Sequence, residues 1–183
     1  MNKTSLKIIA NRWRVRSALF ALAAVLIVAD PSWISIAGGA AVGIVGLAFR
    51  GWAAGHIRKD KRLAVTGPYR FTRNPLYLGS FILGLGLIWG ARSWWGAGIF
   101  VLYFVAFYIP VMAEERDRLR GLFPEAYPEY ERCVPLFFPS PRPAPATEPR
   151  KWDPALFRRN KEFRAWIGTA IVWILFIVRM LLR

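Results

Sequence analysis

The sequence predicts an all-α, polytopic membrane protein with about five transmembrane helices, laid out as two hairpins and a C-terminal span. Three observations predict it. The 183 residues are 55% hydrophobic with nine Trp, and the mean hydropathy is +0.30, whereas soluble domains are roughly 45–50% apolar. The apolar residues fall in blocks rather than in amphipathic periods, and a membrane span needs roughly 20 mostly apolar residues. The basic residues crowd between some blocks and are nearly absent between others.

The first block is residues 13–29, where Arg14 and Arg16 must reach the interface by snorkelling. Asp30-Pro31 is a poor cleavage context, so this block reads as a span and not as a signal peptide. The second is 33–49, closed by Arg50. A tight Pro-containing turn makes the two an antiparallel hairpin. Gly39 and Gly43 in the second block have the small-xxx-small spacing that lets helices approach closely. The third block is 76–90 and the fourth is 94–112, again joined by a short turn. Glycines of the third block fit either close helix packing or a ligand lying against the backbone. Residues 113–134 read as a polar helix leaving the fourth span, bent or broken at Pro124 and Pro128. The stretch 135–149 holds six prolines and reads as an extended surface linker. Residues 151–164 form a basic amphipathic stretch on the inner leaflet, and 165–182 is the fifth span. The expected organisation is one membrane domain over 1–183. It has a core at 50–139, a Pro-rich linker with an interfacial basic stretch at 140–164, and the C-terminal span.

Charge sets the expected orientation. Of 26 Lys and Arg, five precede residue 17, seven lie in 50–73 and eleven in 113–164. The positive-inside rule places these segments in the cytoplasm. The expected location is the inner membrane of a bacterial cell, with the C-terminus outside. The net charge of +15 is explained by anionic lipid headgroups, so no nucleic-acid partner is expected. A single Cys, Cys133, allows no internal disulfide or multi-thiolate site, and the single His, His56, allows no His-rich cluster. No metal site is expected.

Two segments carry chemistry. In the first, Tyr69, Arg70, Arg73, Asn74, Pro75 and Tyr77 close a basic loop and open the third span. Pro75 suits the first turn of a helix, and Asn74 sits where an N-cap would be. The free N–H groups of a helix start also suit an anion. Asn74 therefore reads equally as cap or ligand. In the second, Glu114-Glu115 stands at the edge of the fourth span, after only Asp30 and Asp60. The structural alternative is an ion pair to Arg118 one turn on; the functional one is a carboxylate that binds a cationic ligand.

Gly67-Pro68-Tyr69-Arg70-Phe71-Thr72-Arg73-Asn74-Pro75-Leu76-Tyr77-Leu78-Gly79 resembles the Arg-His-Pro-x-Tyr-x-Gly motif of isoprenylcysteine carboxyl methyltransferases and related phospholipid methyltransferases. Glu114-Glu115, Leu119, Phe123, Tyr127, Tyr130 and Val134-Pro135 resemble that family's second series. The resemblance covers about residues 50–139 and departs from the pattern at Asn74, in place of His, and at Pro124, in place of Gly. It implies an integral membrane enzyme that takes S-adenosylmethionine at the cytoplasmic face. Tyr69, Arg73, Asn74, Pro75, Tyr77, Leu78 and Gly79 would then shape the cofactor site, and Glu114 and Glu115 would bind the cofactor's polar end. Glu115 and Arg73 are the expected catalytic groups. His56 joins the cofactor set and, with Glu115, is a candidate base for an amine acceptor. The acceptor is lipophilic, an isoprenylcysteine-type carboxylate or a lipid amine, and meets the cofactor from within the bilayer. The alternatives are a membrane reductase using NADPH and a small membrane protein without enzymatic activity.

Overall fold

The computed structural model describes residues 17–58, 62–145 and 151–182. The start of the expected first span, residues 13–16, lies outside the described residues, as do Lys3, Lys7, Arg12, Lys59 and Lys61. Every regular element among the described residues is helical. In order they are α1 (Ser17–Val28), α2 (Trp33–Ala54), a 3-10 turn (Gly67–Arg70), α3 (Pro75–Ala91), α4 (Trp94–Leu122), α5 (Ala126–Cys133), α6 (Pro154–Arg159) and α7 (Phe163–Leu181).

Local chemistry sets the helix ends. Ser32 starts α2 with a capping box: its side chain accepts from the Ser35 N–H while the Ser35 hydroxyl accepts from the Ser32 N–H. Ser93 caps α4 through the Gly96 N–H, and Asp153 caps α6 through the Ala155 N–H. Pro75 opens α3, and Arg92 closes it in the left-handed region at φ 50°. Pro128 falls in the first turn of α5, where its missing N–H costs nothing.

Of the five expected spans, α2, α4 and α7 are long and apolar enough to cross a membrane. The other two are shorter. α3 has 17 residues, about 25 Å at 1.5 Å per residue, against a hydrocarbon core of about 30 Å. It is confined between Pro75 and the left-handed Arg92, and α1 is described only from Ser17. Conversely, α4 has 29 residues, roughly 43 Å, so its polar end projects well past an apolar layer. Leu19, Phe20, Ile34, Ile44, Val101, Leu102 and Ile171 are exposed, as the lipid-facing sides of a bundle require. Trp33, Trp94 and Trp95, also exposed, gather at the hairpin turns, the position of an interfacial aromatic belt.

The helices share two ends. At one end the α1–α2 and α3–α4 turns meet, with the Asp30 N–H donating to the Ala91 carbonyl at 2.8 Å. Arg179, near the end of α7, donates to the carbonyls of Ala29 and Ile27 at 2.8 and 2.6 Å. Val25, Ala29, Ile36, Ala91, Val172 and Phe176 form a buried core at this end. The opposite end gathers Arg50, the 62–74 loop, the end of α4, α5, and the start of α7. The described basic residues of 50–73 and those at the end of α4, in α5 and at the start of α7 thus share one end, while the basic segment before residue 17 lies outside the described residues.

The α2–α3 pair is held by direct backbone contact. A Cβ on Gly39 would meet the Gly86 carbonyl oxygen at 2.4 Å, and one on Gly86 would meet the Gly39 carbonyl oxygen at 2.5 Å. Close packing is therefore the role of these glycines. The choice left open for the third block is decided the same way for Gly79, whose Cβ would strike Arg50 Cγ at 2.6 Å and the Gly46 carbonyl oxygen at 2.8 Å.

The Pro-rich segment is no free linker. Ser140 and Ala144 N–H groups donate to the carbonyls of Phe71 and Arg70 at 2.8 and 3.0 Å, and the Arg73 N–H donates to Pro135 O at 2.9 Å. Arg70 Nε returns a bond to Ala144 O at 2.6 Å, and Thr72 Oγ1 donates to Phe137 O at 2.8 Å. Prolines lack donors, so the partners come from Ser140, Ala144 and the loop's own side chains. Phe137 then packs against Phe81 and Phe104. The expected interfacial stretch folds back likewise. Trp152 Nε1 donates to Gly51 O at 2.9 Å, and Asn160 Nδ2 satisfies the Ala54 and Ile57 carbonyls at the end of α2.

Candidate active site

A cavity of about 560 Å³ opens at the basic end, within the size range of small-molecule sites. Both sequence motifs reach it. Tyr69, Arg73, Asn74, Pro75 and Tyr77 line it from the loop and the start of α3, and Glu115 lines it from α4. Tyr103, Phe107, Tyr108 and Val111 form a wall on α4, while Ala18 and Leu19 of α1 add apolar surface. Tyr77 and Tyr108 meet edge to face at 5.6 Å, and Phe104 stacks on Tyr108 at 4.5 Å.

The loop is fixed from below. Gly67 has φ +58°, and a Cβ there would lie 2.6 Å from the His56 ring, so only glycine fits this turn. His56 is buried, with Nδ1 3.2 Å from Thr66 Oγ1. It supports the turn and does not line the cavity. Tyr130 donates from its hydroxyl to the Tyr69 carbonyl at 2.8 Å. Burial pushes the phenols of Tyr69 and Tyr130 well above their ordinary range, so both remain neutral donors at physiological pH.

Two buried donors have no partner among the described residues: the Tyr69 hydroxyl and Arg73 Nε. Both residues line the cavity. Leaving a buried donor unpaired costs about 1–3 kcal/mol, and a ligand oxygen would recover it. The rest of the Arg73 guanidinium is held: Nη1 pairs with Glu131 and contacts the Tyr127 hydroxyl at 3.4 Å. Glu131 also receives Arg120 at 2.5 Å. The Arg120 and Arg73 hydrogen bonds hold the Glu131 carboxyl below its usual range. Its contribution is therefore complete above the unfolded Glu value of about 4.3 and is lost as pH falls through the lower folded value. The thermal midpoint of the wild type should be level from about pH 8 to 5 and then fall, and Glu131→Gln should flatten that fall. An unchanged acid limb in the variant would show that the Arg73–Glu131–Arg120 chain contributes nothing.

Asn74 occupies the N-cap position without making a side-chain cap bond. Its Nδ2 donates to Leu136 O at 3.0 Å, tying α3 to the Pro-rich strap. Glu115 makes the ion pair that was its structural alternative: both carboxylate oxygens meet Arg118, at 2.6 and 3.2 Å. It lines the cavity all the same, and a carboxylate has lone pairs left to accept further donors. Glu114 is exposed, one residue round the helix, and lies outside the lining. Leu78 and Gly79 are buried, Gly79 against Gly46 and Arg50 of α2, and both also lie outside it. Of the expected site residues, then, Tyr69, Arg73, Asn74, Pro75, Tyr77 and Glu115 converge, and His56, Leu78, Gly79 and Glu114 do not.

The sequence reading missed Arg50, Ser80, Asn160 and Glu162, all of which line the cavity. Arg50 Nε meets Glu162 Oε1 at 2.5 Å. Two signals were present: Arg50 is followed by the apolar Trp52-Ala53-Ala54, and Glu162 is an acid set among Arg158, Arg159, Lys161 and Arg164.

Residues 17–126, more than half of the chain, match the phospholipid methyltransferase family, and the protein belongs to it. With three long apolar helices, it is a membrane protein of a methyltransferase family. Among named relatives, it is 39% identical over 118 residues to the nickel-cobalt-cadmium resistance protein NccN of Alcaligenes xylosoxydans xylosoxydans, covering 60% of this chain and 54% of that one. It is 38% identical over 92 residues to the cobalt-zinc-cadmium resistance protein CzcN of Cupriavidus metallidurans, covering 48% of this chain and 41% of that one. The chain thus spans about half the length of the curated relatives it matches. No solved structure matches it significantly.

Proposed function

We propose that the protein transfers a methyl group from S-adenosylmethionine to a lipophilic acceptor at the cytoplasmic face of the membrane. The observation that carries this reading is the convergence of both motifs on one cavity in a chain of the phospholipid methyltransferase family. The donor set fits the cofactor. Tyr69 and Arg73 offer unpaired N–H and O–H groups to a carboxylate, and Glu115 offers an acceptor to an ammonium. The aromatic wall of Tyr77, Tyr103, Phe107 and Tyr108 suits a sulfonium through cation–π attraction. When bound, S-adenosylmethionine supplies a methyl group on sulfur, open to in-line displacement.

The chain's own work is alignment and exclusion of water. Arg73, held by Glu131 and by the Pro135 carbonyl, is a fixed donor rather than a flexible one. Arg70, Thr72 and Asn74 fix the loop against the strap. Ala18 and Leu19 give a hydrocarbon chain an apolar side of the same cavity. An acceptor that arrives as an ammonium must lose a proton, and the Glu115 carboxylate is placed to act as the base that takes it. The relatives' names speak of metal resistance; among the described residues no three His, Cys, Asp or Glu side chains form a group suited to a metal, and the reading uses none.

The test is direct. Purified protein, incubated with methyl-labelled S-adenosylmethionine and bacterial membrane lipids, should pass label into the organic phase. Glu115→Gln should reduce that transfer by about tenfold, the worth of one charge-assisted hydrogen bond. Label that never leaves the aqueous phase would count against methyl transfer to a lipid. Full activity in Glu115→Gln would reduce Glu115 to an ion-pair partner of Arg118.

A further inference from the structure

The Arg50 cluster lines the same cavity as the Tyr69–Arg73–Glu115 group but is built differently. Arg50 sits in the last turns of α2 and is locked by three acceptors from two other segments. Nε donates to Glu162 at 2.5 Å, and Nη1 donates to Leu76 O at 3.3 Å and to the Ser80 hydroxyl. Glu162 is buried and follows Lys161, which stands in the left-handed region at φ 56°. A non-glycine residue there is strained, and such strain persists where surrounding structure enforces it, often at binding sites. On either side of Lys161, Asn160 and Glu162 both line the cavity. This turn lies beyond the family-matched residues 17–126.

The lock leaves Arg50 Nη2 donating to none of the described residues. Among the described residues the lining carries Arg50, Arg58, Arg62, Arg73 and Arg118 beside Glu115 and Glu162, and Arg73 also pairs with Glu131. Each of those carboxylates already carries an arginine. An ammonium head placed at Arg50 would meet a cation whose carboxylate partner is already paired, whereas an oxyanion there would meet a preorganised donor. Apolar Leu19 and Ala18 line the same cavity, so a hydrocarbon tail has a wall to follow.

We propose that Arg50, held in place by Glu162 and Ser80, binds the oxyanion head, carboxylate or phosphate, of the lipophilic acceptor. Glu162 is a positioning residue for Arg50. The assignment rests on the methyl-transfer reading above, and its test separates the two.

The full chain in a neutral maltoside detergent is titrated by calorimetry with dodecanoate, dodecyl phosphate and dodecylammonium, with empty micelles as the blank. Each titration is run with and without saturating S-adenosylhomocysteine. The expected result is stoichiometric binding of at least one oxyanion probe, no binding of dodecylammonium, and no displacement by S-adenosylhomocysteine. Arg50→Gln and Glu162→Gln should each weaken the oxyanion probe by about tenfold or more and weaken S-adenosylhomocysteine by less. Equal or preferred binding of the ammonium probe would overturn the assignment. So would unchanged dodecanoate and dodecyl phosphate affinity in Arg50→Gln. Displacement of the oxyanion by S-adenosylhomocysteine would also overturn it, giving the place to the cofactor's own carboxylate. If the charge variants fail to fold, the wild-type preference between oxyanion and ammonium still decides. Failure of S-adenosylhomocysteine to bind the wild type would instead contradict the methyl-transfer reading, and the lipid probes would judge Arg50 independently.

Discussion

Gly86→Ala should destabilise the folded protein by about 2–3 kcal/mol, the usual scale for forcing a methyl into a packed contact. The added Cβ would lie 2.5 Å from the Gly39 carbonyl oxygen and 2.7 Å from the Gly43 nitrogen. Both are backbone atoms, so no side chain can rotate aside and the helices must part. Parting α2 from α3 moves Arg50 away from Leu76 and Ser80, which couples this change to the cavity. Gly121→Ala is the counter-test: nothing lies within 4 Å of a Cβ there, and Ala in a helix is favoured over Gly by about 0.8–1.0 kcal/mol. Thermal unfolding in detergent should therefore move in opposite directions for the two variants. Equal midpoints would contradict close α2–α3 contact.

Arg73→Gln should weaken binding of S-adenosylhomocysteine by about tenfold to a hundredfold, the range for one hydrogen bond to a charged group. The guanidinium provides one of the two unpaired buried donors of the cavity, and it is anchored from behind by Glu131. Glu131→Gln separates anchoring from binding: it should cost less affinity than Arg73→Gln, because the donor remains and only its support weakens. The reverse order would mean that Arg73 serves α5 and not a ligand.

How much of this was legible follows from the range of each interaction. The helices were, because apolar blocks and Ser, Pro and Gly signals act within a few residues; span ends shifted by a residue or so for α3. The second block was cut short at Arg50 because a charge usually ends a span. Here α2 continues to Ala54, since Glu162, 112 residues away, neutralises that charge. Asn74 stands at the N-cap position without a side-chain cap bond, and it lines the cavity. Its amide nitrogen donates to the Leu136 carbonyl of the strap, a partner that no local signal announces. The strap itself was read as a linker because its prolines show no periodicity, and its partners are the carbonyls and side chains of residues 70–74. His56 and Gly79 match the motif's neighbourhood in sequence, but each is turned to packing: His56 beneath Gly67, Gly79 against Gly46 and Arg50. Members of the paired motifs, by contrast, reach one cavity, a relation that the short α3–α4 hairpin makes legible in the sequence.

The most direct measurement is calorimetric titration of the purified protein with S-adenosylhomocysteine beside NADPH. The expected result is saturable binding of S-adenosylhomocysteine, weakened in Arg73→Gln and in Glu115→Gln, and no binding of NADPH. Binding of NADPH alone, or S-adenosylhomocysteine affinity indifferent to both substitutions, would contradict it.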